Sequence, residues 1–155
     1  MPTCLLPAGM AATRSLPIKF TADPAPMVHD GRLYLYVGHD EAGEGEMFRI
    51  AEWLLYSTED LVTWRDHGPV LRPEDFSWTS RDAWASEVIE KDERFWFYTT
   101  VEHDETDHGK ANGGAGADSP ADPLQDARGS ALVRTRGAPV GPHWWDDDRP
   151  DRVCG

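Results

Sequence analysis

Few side chains in this sequence are spaced for chemistry, and the first is a lone carboxylate. Asp23 lies in Thr21-Ala22-Asp23-Pro24-Ala25-Pro26, between small residues and a proline, just ahead of the alternating run Arg32-Leu33-Tyr34-Leu35-Tyr36. A carboxylate held there can take a proton from a water. An Asp before Pro at the head of a strand also serves as a turn former whose side chain caps backbone groups, and the residues alone leave both readings open. His39 and Asp40 close the following run, where an imidazole and a carboxylate can contact a polar ligand or sit solvated in a loop. Trp84, in Asp82-Ala83-Trp84-Ala85-Ser86-Glu87-Val88, offers a flat ring face to a ligand, although in a chain with seven tryptophans packing is an equal use. The run Glu102-His103-Asp104-Glu105-Thr106-Asp107-His108 is rich in metal-type donors, but its spacing fits no tight motif, and neither a metal nor a cofactor is expected.

The elements that must position these groups are strands. Arg32–Val37, Trp53–Ser57 and Arg94–Thr99 are short, aromatic-rich and bounded by turn residues, and nothing between them sustains a helical period. Asp30-Gly31 is a strong hairpin signal, and a similar design returns around Lys91-Asp92. The chain also repeats: Arg32-Leu33-Tyr34-Leu35-Tyr36 matches Arg94-Phe95-Trp96-Phe97-Tyr98 at an offset of 62 positions, and each is followed by His-Asp-Glu. More loosely, the segment from Tyr56 corresponds to that from Ala117. About four short strands per repeat is the unit of a β-propeller blade. Two such units do not close a ring, so the chain is expected to be the front part of something larger. A small antiparallel β-sandwich complete in itself is the alternative.

Composition bounds the partners. The 155 residues are 39% hydrophobic and 10% aromatic, enough for one core, and carry a formal charge of −13. A surface of that sign repels nucleic acid and anionic membranes, so neither is expected as a partner. Cys4 and Cys154 stand at opposite ends in no metal spacing. No apolar run approaches the ~20 residues of a membrane span, and Met1–Leu16 lacks the pattern of a signal peptide, which makes the expected location cytoplasmic.

Four segments in order, Thr21–Pro26, Ser57–Gly68, Asp82–Val88 and Ala117–Pro120, resemble glycoside hydrolase family 43, and within it the arabinofuranosidases and xylosidases that trim xylan and related polysaccharides. The resemblance covers roughly 19–133. It implies an all-β, five-bladed β-propeller, here about two blades, with the active site at the end of the central channel and no cofactor. It also implies inversion with three acids: a general base, a residue that tunes the proton donor, and a general acid. Inversion needs a carboxylate to activate water on one face of the sugar and a protonated acid on the other, about 6.5–9.5 Å apart. A third acid raises the donor's pKa by like-charge proximity. On this resemblance Asp23 is the general base, Trp84 a sugar-stacking wall, and His39 and Asp40 substrate contacts. Trp53, Trp64 and Trp96 fall in blade core, and an arabinoxylan-type oligo- or polysaccharide is the expected partner.

Departures from the family pattern shape the remaining expectations. The third strand of the second blade should be apolar but is Asn112-Gly113-Gly114-Ala115-Gly116-Ala117, which predicts a weakened, loose blade. Residues 1–18 are an extension ahead of the 19–133 domain, and 134–155 diverge. Trp145-Asp146-Asp147 returns to the family pattern, but the Ile-Asp-Pro-Thr-Val-Phe that should follow is replaced by Asp148-Arg149-Pro150-Asp151-Arg152-Val153, which a single inserted nucleotide reproduces. The tail is therefore expected to be frameshifted, and the chain to be a truncated, inactive glycosidase that self-associates through exposed blade faces. The competing reading is a non-catalytic carbohydrate-binding or self-associating β module.

Overall fold

The computed structural model describes residues 19–46, 49–103 and 109–134. The N-terminal extension, nearly all of the divergent tail, and Asp104–His108 of the donor-rich run lie outside them. The chain forms two antiparallel sheets, each a meander. The first has the order β1 (Thr21–His29), β2 (Arg32–Asp40), β3 (Ile50–Thr58), β4 (Arg65–Leu71). A single 3-10 turn, Pro73–Asp75, leads to the second: β5 (Thr79–Lys91), β6 (Arg94–His103) and β7 (Gly109–Ala117), with β8 (Gln125–Asp126) and β9 (Val133–Arg134) both on β7. β8 pairs with Ala115 and Gly116, and β9 with Ala111 and Asn112, so two short pieces share the fourth lane of a five-stranded sheet. Sequential strands stay in one sheet, whereas a sandwich sends connections between its sheets. The blade reading accounts for this connectivity.

The hairpins fall where turn chemistry puts them. His29 pairs with Arg32 across Asp30 and Gly31, both at positive φ (48° and 75°), and Lys91 pairs with Arg94 across Asp92 and Glu93, also at positive φ (54° and 58°). Two consecutive positive-φ residues give the turn whose twist matches the strands it joins. The offset of 62 therefore holds for the first hairpin of each sheet. It does not hold for the third strands: Leu33 pairs with Thr58 and Phe95 with Ala117, so the counterpart of Ala117 is Thr58, two residues past Tyr56. The shorter β6–β7 connection takes up the difference.

The core lies between the sheets. Tyr36, Trp53 and Leu55 from the first meet Val88, Phe97, Val101 and Ala115 from the second, all buried. The Phe97 ring sits 5.3 Å from Trp53, edge to face, and 6.1 Å from Tyr36. Burying each of these side chains favours folding by ~1.5–3 kcal/mol. The Tyr36 hydroxyl donates to the Pro120 carbonyl at 2.6 Å, which fixes the loop after β7, and burial pushes its pKa up. A smaller cluster of Val37, Leu54 and Tyr56, with Leu35 and Trp64 against it, lies on the far face of the first sheet.

Two expectations about packing are corrected. The glycine-rich β7 is an unbroken strand, paired with β6 at nine successive positions from Gly109 to Ala117. Its glycines make room for bulk supplied by neighbours: a Cβ on Gly113 would stand 3.1 Å from the Phe76 ring and 3.2 Å from Trp78, one on Gly114 2.8 Å from Leu132, and one on Gly116 3.3 Å from Trp96. Asn112 is satisfied there, its side-chain oxygen accepting from the Thr100 hydroxyl at 3.0 Å. Of the three tryptophans expected in core, Trp53 is fully buried and Trp64 is half-buried on the smaller cluster. Trp96 is half-buried on the second sheet's outward face, because it alternates with the inward-facing Phe95 and Phe97.

Candidate functional site

The first strand of each sheet is interrupted at nearly the same level. On β1, Ala22 pairs with Gly38 and Ala25 with Tyr36, so Asp23 and Pro24 together oppose Val37. On β5, Ala83 pairs with Val101 and Ser86 with Thr99, so Trp84 and Ala85 together oppose Thr100. Each is a β-bulge, two residues against one, which bends a strand and re-aims a side chain. Since β1 packs on β5, the two bulged strands adjoin.

Asp23 holds the strained position of its bulge, with φ of 51°. Aspartate tolerates this left-handed region better than most residues, still at a cost of order 1 kcal/mol. Pro24 beside it has no N–H, so the ladder loses no donor there. The Asp23 carboxylate is exposed and accepts no hydrogen bond among the described residues. Other aspartates on the molecule behave differently. Asp60 accepts from the backbone N–H groups of Val62 and Thr63 at 2.9 and 2.7 Å, which lowers its pKa to about 2, and Asp66 and Asp126 cap Gly68 and Gly129. Strained backbone with an uncommitted side chain is a pattern that gathers at functional sites.

The sequence-picked neighbours divide. Asp40 is committed to its own loop: its Oδ1 accepts from the Ala42 and Arg49 N–H groups at 3.0 and 3.1 Å, while its own N–H donates to the Phe20 carbonyl. His39 pairs across the ladder with Thr21, at the same end of β1 as Asp23, and its Nδ1 lies 3.1 Å from Glu52. Glu52 also binds Arg72 at 3.1 Å and Lys19 at 3.8 Å, making a hub that ties together the ends of β1 to β4. Trp84 stands on the second bulge, half-buried, with the Lys110 ammonium 4.4 Å from its ring centroid, so one face of the ring already carries a cation. The structure thus sets Asp23 and Trp84 on adjoining bulges and draws His39 and Asp40 into local networks.

Sequence reasoning missed two groups. The buried Thr99 hydroxyl lies 3.2 Å from the Ala85 carbonyl and holds the second bulge, and a threonine in a strand carries no signal of that role. The Ser57 hydroxyl lies 2.8 Å from His67 Nε2, with Arg32 3.5 Å from the same oxygen. Burial, then Arg65 and Arg32, lower the His67 pKa against an opposing effect of Asp66. Among the described residues no three His, Cys, Asp or Glu side chains gather as metal ligands.

Comparison with known proteins agrees with this layout. The sequence profile of Glycosyl hydrolases family 43 matches residues 13–139. A xylosidase/arabinosidase of Bacteroides ovatus is 36% identical over 91 residues, covering 54% of this chain and 28% of that protein. An arabinoxylan arabinofuranohydrolase of Paenibacillus polymyxa is 31% identical, covering 74% and 20%. Among solved structures, an α-L-arabinofuranosidase from Clostridium thermocellum superposes with a TM-score of 0.62 at 34% identity, covering 81% of this chain and 40% of that one. A β-xylosidase/α-arabinofuranosidase from a compost microbial metagenome, in complex with xylotriose, gives 0.66 at 28%, covering 75% and 36%. The chain therefore spans less than a third of the length of these two curated relatives. The structural neighbours are five-bladed β-propellers, of which its two sheets make about two blades. With its profile, relatives and architecture in agreement, the chain belongs to glycosyl hydrolase family 43.

Proposed function

We propose that this chain is the base-bearing portion of an inverting glycosidase that acts on arabinoxylan-type oligosaccharides, with Asp23 as the general base. One observation carries the reading: alone among the aspartates compared above, Asp23 is held at positive φ on a bulge with its carboxylate exposed and uncommitted. That is the state of a carboxylate free to take a proton from water. A turn former would be bonded to backbone, as Asp40 and Asp60 are. Trp84 on the adjoining bulge is the stacking wall, and the substrate class follows from relatives described as xylosidases, arabinosidases and arabinoxylan arabinofuranohydrolases. The proton donor and the acid that tunes it are supplied from outside these two sheets, so the chain alone does not turn over.

The test joins residues 19–134 to the remaining blades of an active relative. The chimaera is expected to hydrolyse an aryl arabinofuranoside or xyloside, and Asp23→Ala to reduce the rate by ~10²–10⁴-fold. A folded chimaera whose rate ignores that substitution would remove Asp23 from the mechanism. Clear turnover by the 155-residue chain alone, abolished in Asp23→Ala, would place the missing acid within it. Retention on insoluble arabinoxylan, measured in parallel, tests the non-catalytic binding reading.

A further inference from the structure

We infer that Glu52 is a positioning residue for the site: from β3 it fixes the lead-in to the strand that carries Asp23 and the exit toward the strand that carries Trp84. The inference rests on the role proposed for Asp23. The two carboxylate oxygens serve different sides. Oε1 faces His39 Nδ1 at 3.1 Å and Lys19 Nζ at 3.8 Å, while Oε2 accepts from the Arg72 guanidinium at 3.1 Å. Lys19 stands just ahead of β1, His39 pairs with Thr21 on it, and Arg72 follows β4 and opens the 3-10 turn toward β5. Glu41, at 3.6 Å, is the longer of the two carboxylate contacts of His39 Nδ1. The side chains of Glu52 and His39 are each 16% exposed, so their contact is screened less than a surface pair is.

A bulge at positive φ persists only where the chain on both sides of it is held, because a free end lets the backbone relax out of the strained region. Downstream of Asp23 the core does the holding: Ala25 and Met27 are buried between the sheets, and Ala25 to His29 pair with β2 in unbroken register. Upstream, only Thr21 and Ala22 are paired, and neither belongs to the core. Polar ties take over there. The Asp40 N–H donates to the Phe20 carbonyl at 3.0 Å, and Glu52 binds Lys19 and His39 to either side of that bond. Since β3 is separated from β1 by β2, Glu52 acts through the placement of backbone and not by contact with the Asp23 carboxylate.

In the full 155-residue chain, Glu52→Ala is expected to move the Cα and Cβ chemical shifts of Asp23, read by NMR, from left-handed toward extended values. His29→Ala, which removes a 2.8 Å contact with Glu90 at the opposite end of β1, should leave those shifts unchanged. In the chimaera with the blades of an active relative, Glu52→Ala should lower kcat by about tenfold or more with KM little changed, because a displaced base is lost to the chemical step and not to binding. His29→Ala should leave kcat unchanged at a similar loss of melting temperature. Glu52→Gln keeps one acceptor oxygen and strands the partners of the other, so it should give intermediate effects on both readouts, and it carries the test if Glu52→Ala does not fold. Folded Glu52 variants with unchanged Asp23 shifts, or a kcat loss no greater than that of His29→Ala, would overturn the inference. A chimaera that keeps its full rate in Asp23→Ala removes the role of Asp23 instead, and the Asp23 shifts then decide alone whether Glu52 sets the bulge.

Discussion

The two sheets share a plan but place their bulk differently. In the first, the central strand carries it: Trp53, Leu54, Leu55 and Tyr56 of β3 are all buried, filling both faces from within. In the second, the matching strand β7 is almost bare, and Phe76, Trp78, Leu132 and Trp96 lean over its glycines from loops and neighbours. The bulges differ likewise. That of β1 frees a carboxylate, while that of β5 is held by the Thr99 hydroxyl and presents an indole. A repeat therefore fixes where a chain turns and pairs more firmly than which strand supplies the volume.

The comparison breaks first at Trp53. Removing a fully buried indole that meets Phe97 edge to face should cost ~3–5 kcal/mol, a large share of a small domain's stability. Urea denaturation of Trp53→Ala should show this, whereas Ala115→Gly at a central position of β7 should cost only ~1 kcal/mol. A Trp53→Ala loss as small as that of Ala115→Gly would mean that β3 does not carry the load. The reverse substitution comes next. Gly113→Val drives a branched side chain into Phe76 and Trp78, and should cost ~1–3 kcal/mol through overpacking. If it stabilises, β7 is a loose strand after all.

Turns sharpen the comparison at lower energy. Both hairpins need two positive-φ residues, but only the first supplies a glycine. Gly31→Ala should destabilise by ~1 kcal/mol and Glu93→Gly, at φ of 58°, should stabilise by somewhat less, because the backbone strain relieved is partly offset by glycine's greater freedom when unfolded. Thermal melts of the two variants should shift in opposite directions. Equal signs would mean that the two turns are held by something other than their φ angles.

What the sequence made legible divides along a physical line. Alternation, turn dipeptides and the offset of 62 are local signals, and strands, hairpins and the two-unit plan follow from them. Bulges are properties of a pair of strands, so nothing in Thr21–Pro26 or Asp82–Val88 announces that two residues will face one. Glycine in a strand signals lost side-chain packing, and the rings that replace it at Gly113 come from Phe76 and Trp78, more than thirty positions away. The motif singles out Asp23, but only the contrast with Asp40 and Asp60, whose oxygens are spent on backbone, shows its carboxylate to be uncommitted.

The smallest effect separates the sheets by pH. His67, on β4 of the first sheet, accepts or shares a hydrogen bond with Ser57 while burial and the charges of Arg65 and Arg32 hold its pKa below the ordinary value of ~6.5. The folded state therefore favours neutral imidazole. Where the unfolded chain binds the proton more readily, stability rises with pH, so the contribution of His67 is present above its unfolded pKa and is lost as pH falls through that value and on toward the lower folded one. The melting temperature should decline slightly between about pH 7 and pH 5, and His67→Gln, which keeps a hydrogen-bonding side chain without titrating, should flatten that decline. The lower pKa of Asp60, about 2, acts in a separate and more acidic window, so the two are distinguishable in one pH series. If His67→Gln leaves the slope between pH 7 and 5 unchanged, protons are being taken up elsewhere and the Ser57–His67 contact is not what makes the first sheet acid-sensitive.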